Sequence, residues 1–141
     1  MNVVIVGPFG CGTLADEAVL AGLLRHLAAP ASRWMEPGTP EAGGAPRNRT
    51  VVLSAHPEQT ERLHGVTAVE AGTPAQFLSN RELWKALQQG HLLVIAGAGL
   101  ISEYGAFPAR AWLSLLEHAQ TAGIKTAVVG VGAQPVEDLH E

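Results

Sequence analysis

Five short runs of β-branched and aliphatic residues, alternating with stretches of helical spacing, constrain this chain more than any other feature. They are Asn2 to Val6, Thr50 to Ser54, Val66 to Glu70, His91 to Ala96 and Lys125 to Val131. Such alternation predicts βαβ units and therefore an α/β fold with a parallel sheet. The first, fourth and fifth runs read most nearly as buried central strands. Right-handed crossovers then predict the strand order 3-2-1-4-5, with helices on both faces of the sheet and a crevice between strands one and four.

The intervening segments carry the matching helical pattern. Leu20, Leu23, Leu24 and Leu27 lay one apolar face of the first helix on the sheet, and that helix is expected to stop at Ala29-Pro30. Pro57 opens a brief second helix through His64, since its missing N–H would be unpaired there anyway. Leu83, Trp84 and Leu87 anchor a third helix, and Trp112, Leu115, Leu116 and Ala119 a fourth, closed by Gly90 and Gly123 respectively. Residues 29–49, rich in Pro, Gly and Ala, show no periodicity and read as a flexible insertion, either a lid or a disordered loop.

Composition narrows the function classes. With 141 residues, 47% hydrophobic and 16% charged, the chain fits one domain with a continuous core, spanning 1–141. The net charge is −4 and the nine Lys and Arg are scattered, which leaves no basic stripe for nucleic acid. One cysteine, Cys11, excludes an internal disulfide, and with six dispersed histidines it offers no metal-ligand spacing. These features fit a reducing, cytoplasmic compartment with no metal and no cofactor. The first apolar run is too short to span a membrane and lacks the basic start of a secretory signal. The closing run ends in a second glycine turn, Gly130 to Pro135, which predicts that these residues form the front part of a longer enzyme.

The candidate site lies at Gly7-Pro8-Phe9-Gly10-Cys11-Gly12-Thr13, where strand one turns into helix one and glycine lets a ligand approach the backbone. Its spacing matches neither the dinucleotide nor the P-loop pattern, and no lysine follows to meet a phosphate. Asp16 and Glu17 place negative charge on the helix N-terminus, and strand two ends in Ser54-Ala55-His56, without the acid that holds a ribose. Both features count against NAD. Asp16 admits two readings: the partner of Thr13 in a T-x-x-D cap, or a catalytic acceptor or general base for a sugar hydroxyl. Asp16 shares a helix face with Leu20, so its carboxylate is expected over the sheet edge.

A second cluster, Gly97-Ala98-Gly99, follows strand four and is expected to face the first across the crevice, with Glu103 and Tyr104 as its polar groups. It reads either as close helix packing or as a backbone cradle. Cys11 reads as small filler or as a nucleophile, and His56 as a cap beside Pro57 or a ligand contact. The other histidines read as surface or helix-end residues. The substrate-binding set is Gly10, Gly12, Thr13, Asp16, Gly97, Gly99 and Glu103.

Taken in order, these segments resemble the polysaccharide pyruvyl transferase family. Gly7 to Leu20 is similar to its opening G-x-x-G-x-G-N-x-G-D-E-x-I/L, and Val51 to Thr60 to its VLSxNPExT strand and turn. Leu92 to Leu100 resembles DLLIxGGGGL, and Val128 to Pro135 the strand ending G-x-G-x-x-P. Thr13 stands for the usual Asn, Ala15 and Ala98 for usual glycines, and Ser102-Glu103 where Gln-Asp is common.

The resemblance implies the first, Rossmann-like lobe of a two-lobed GT-B-like transferase. Such an enzyme moves a pyruvyl group from phosphoenolpyruvate to a cell-surface polysaccharide, forming a ketal. This lobe would meet the polysaccharide or oligosaccharide acceptor and touch a lipid-linked glycan peripherally. The donor would be held by a second lobe, so the isolated chain is expected to be inactive. Two other readings stand beside it: a non-catalytic sugar- or nucleotide-binding module, and the first domain of a GT-B glycosyltransferase.

Overall fold

Strand β1 (Asn2–Val6) runs through the middle of the molecule, and its residues Val3 to Val6 are at most 2% exposed. The structure is a computed structural model that describes residues 1–28, 49–71, 79–97 and 109–132. After β1 come α1 (Leu14–Ala28), β2 (Arg49–Ser54), α2 (Pro57–His64) and β3 (Thr67–Glu70). The second half contains α3 (Arg81–Gln88), β4 (Leu92–Ala96), α4 (Ala109–Thr121) and β5 (Lys125–Val129). The five strands form one parallel sheet in the order β3-β2-β1-β4-β5. This is the predicted α/β architecture, with strand ends differing from expectation by one or two residues.

Alternation along β1 divides the core. Val4 and Val6 join Leu53, Leu93 and Ile95 on one face, beneath Leu87 of α3 and Trp112, Leu115 and Ala119 of α4. Val3 and Ile5 join Val52 and Val94 on the other, beneath Leu20 of α1, with Leu23, Leu24 and Leu27 packed around them. Because both faces are covered, the central strands are apolar at consecutive positions instead of every second one.

Strand β5 corrects one expectation. It was expected among the buried central strands, but it is the sheet edge, and Val128 and Val129 are 52% and 41% exposed. Among the described residues β4 alone pairs with it, so its apolar run gains burial on one side. At the opposite edge, β3 is blunted by α2: the Glu61 carboxylate accepts the Ala68 N–H at 3.0 Å.

Helix ends follow local chemistry. Pro57 occupies the first turn of α2, as its fixed φ and missing N–H favour. At the end of α4 the Gly123 N–H donates to the Gln120 carbonyl and the Ile124 N–H to that of Ala119, both at 2.9 Å, which satisfies carbonyls the helix leaves free. Gly90 closes α3 with an N–H bond of 2.8 Å to the Leu87 carbonyl. Residues 29–48 of the predicted insertion lie outside the described residues, and Arg49 begins β2.

Candidate functional site

The carboxyl ends of β1, β2 and β4 bring three chain segments together around the first glycine turn. Phe9, fully buried, roots that turn: its carbonyl accepts the Ala55 N–H at 3.0 Å and the Ser54 hydroxyl at 3.1 Å. Ser54 has one hydrogen and two lone pairs. Its hydrogen goes to Phe9, so the Thr60 hydroxyl at 2.7 Å donates to Ser54 Oγ, as does the His56 N–H at 3.0 Å. The buried hydroxyl is thereby saturated, and the polar knot ties the turn to β2 and α2.

Gly10 lies directly against this knot. Its φ is +78°, and a Cβ there would collide with Ser54 Oγ and stand 2.8 Å from the His56 nitrogen. On its other side, the Gly10 N–H donates to Glu17 Oε1 at 2.8 Å. Glu17 Oε2 in turn meets His64 Nε2 at 2.6 Å, joining α1 to α2. Beyond Gly10 the chain opens to solvent: Cys11, Gly12 and Thr13 are exposed, and among the described residues nothing lies within 4 Å of the position a Gly12 Cβ would take.

Beside the turn stands Gly97, at the end of β4, with φ +143°. A Cβ there would lie 2.7 Å from Pro8 Cδ and 3.2 Å from Asp16 Oδ1. A Cβ at Gly7 would overlap the Ala96 carbonyl oxygen. The end of β4 and the start of the first glycine turn therefore meet at backbone distance, which glycine at Gly7 and Gly97 permits. Asp16, on the first turn of α1 and only 4% exposed, directs its carboxylate into this junction, over the sheet edge.

Of the sequence-predicted site residues, Gly10, Gly12, Thr13 and Asp16 lie on the first glycine turn and the start of α1, and Gly97 stands against Pro8 and Asp16, whereas Gly10 packs on Ser54 and His56. Gly99 and Glu103, with Tyr104, lie outside the described residues. Thr13 is exposed, and its carbonyl accepts the Glu17 N–H at 3.1 Å in the first turn of the helix. His56 holds the N-cap position of α2 without a side-chain cap bond; its carbonyl instead takes the Gln59 and Thr60 N–H groups, each at 3.1 Å.

His64 ends α2, as expected of a helix-end histidine, and its side chain is 9% exposed against the Glu17 carboxylate. No spacing rule could have paired residues 47 positions apart. The polar Ser54 and Thr60 inside α/β packing were the only available hint of the knot.

The electrostatics of the mouth are acidic. The Cys11 thiol is held above its ordinary range by partial burial first, and then by the Asp16 and Glu17 charges. Thiolate chemistry is disfavoured there. The Gly10 amide, which an anion cradle would need, is occupied by Glu17, and no Lys or Arg lies within Gly7 to Thr13. Among the described residues no cluster of three or more His, Cys, Asp or Glu could hold a metal ion, and no helix is long and apolar enough to cross a membrane. Compared with protein-family models, curated proteins and solved structures, the chain matches none.

Proposed function

We propose that this domain is the acceptor-side lobe of a polysaccharide pyruvyl transferase-like enzyme, and that its crevice receives a sugar hydroxyl. One observation supports the reading: the buried Asp16 carboxylate is aimed at Gly97, beside a glycine turn whose Gly10 amide is already taken by Glu17. Such a site suits a neutral, hydroxyl-bearing ligand, which donates to a carboxylate, better than a phosphate, which meets repulsion. Asp16 accepts the proton or the hydrogen bond of the attacking hydroxyl. Stabilising the carboxylate and phosphate of phosphoenolpyruvate requires cationic groups, which the proposal assigns to a second lobe of GT-B-like architecture.

A binding module without catalysis is the competing reading, favoured by the lack of any basic residue in the Gly7 to Thr13 turn. Calorimetric titration of oligosaccharide fragments and of phosphoenolpyruvate, separately, tests the proposal. Saccharide should bind and phosphoenolpyruvate should not, and Asp16→Asn should weaken saccharide binding about tenfold, the worth of one hydrogen bond to a charged group. Unchanged saccharide affinity in Asp16→Asn would reduce the residue to a helix cap. Turnover of phosphoenolpyruvate by this chain alone would refute the division of labour between lobes.

A further inference from the structure

The contact between α1 and α2 has no part in the chemistry assigned to Asp16. It links the last residue of α2 to the Gly10 amide at the start of the exposed arc of the glycine turn. We infer that His64 is a positioning residue for the binding turn, acting through Glu17. This inference takes its ligand, a saccharide, from the functional reading above, but its structural half needs no ligand.

The turn is pinned on both sides of its exposed arc. Phe9 is held by β2 through its carbonyl, and among the described residues Gly10 is held by one hydrogen bond, from its N–H to Glu17 Oε1. Cys11 and Gly12, both exposed, span from that pin to Thr13, whose carbonyl accepts the Glu17 N–H. Glu17 can serve only if its own side chain is held, because a free glutamate samples many rotamers. His64 supplies the hold. An ionised carboxylate only accepts, so His64 Nε2 carries the hydrogen and donates it to Oε2 at 2.6 Å, leaving Oε1 aimed at Gly10. Both side chains are largely buried, at 9% and 13% exposure, so the bond competes little with water.

The remaining acidic groups nearby are otherwise engaged. Asp16 faces Gly97, and Glu61, one turn earlier on α2, accepts the Ala68 N–H. His64 is therefore committed to Glu17 and, through it, to the shape of the turn.

Amide hydrogen exchange at Gly10, followed by NMR, reads this directly. His64→Ala should speed Gly10 exchange about tenfold and weaken saccharide binding by a similar factor, while His64→Gln, whose side-chain amide can still donate, should largely restore both. In a Glu17→Ala background, where the acceptor is gone, His64→Ala should change Gly10 exchange no further. Wild-type exchange at Gly10 in His64→Ala, or an undiminished effect in the Glu17→Ala background, overturns the inference. Should His64→Ala fail to fold, the nitrogen shift of His64 Nε2 in the unaltered protein decides: a protonated nitrogen supports the role and an unprotonated one overturns it. If the unaltered protein binds no saccharide, the functional reading falls, and the positioning role is still judged on Gly10 exchange alone.

Discussion

Placing a methyl group at Gly10 should cost far more than placing one at Gly12, although both residues have nearly the same φ. Their φ angles are +78° and +80°, so Ala at either site carries the left-handed penalty of about 1 kcal/mol. At Gly12 that is the expected effect, because no atom of the described residues lies within 4 Å of the new Cβ. At Gly10 the Cβ collides with Ser54 Oγ, an atom held by three hydrogen bonds, and approaches the His56 backbone. Overpacking of a well-filled site adds about 2 kcal/mol.

Gly10→Ala should therefore destabilise by about 3 kcal/mol, lowering the thermal midpoint by about 10 °C, against about 3 °C for Gly12→Ala. Parallel thermal and urea unfolding of the two variants measures the difference. Equal losses would show that the packing of Gly10 against Ser54 is not what makes glycine necessary there.

Two further outcomes follow from the same geometry. Cys11 should alkylate more slowly than an unhindered free cysteine at neutral pH, because a raised thiol pKa leaves less thiolate at any given pH; Asp16→Asn removes one of the charges that raise it and should quicken the reaction, as thiol-labelling rates across pH would report. Leu20→Ala, at a fully buried position joining α1 to the sheet, should cost about 3 kcal/mol in a urea unfolding curve. A loss below about 1 kcal/mol would mean that α1 is not packed on β1 and β4 as described.

The fold was legible in the sequence because burial imposes a period on it. Runs such as Val3 to Val6 and Leu92 to Ala96 admit water on neither face, and Leu20, Leu23 and Leu27 recur at helical spacing, so strands, helices and the crossover rule together specify the sheet order. The glycines of the site were legible too, since a strand that runs directly into Gly-x-x-Gly-x-Gly has few other uses for them. Exposure of β5 was not, because an edge strand and a central strand carry the same apolar letters and differ only in what lies beside them.

Tertiary structure alone decided which polar groups share the mouth of the crevice. Glu17 and His64 have no periodic relation, and Ser54 and Thr60 read as ordinary strand-end and helix residues until β2 and α2 fold them beneath Gly10. Periodicity records which side of an element avoids water; it holds no record of which neighbour a polar side chain reaches once the elements have come together.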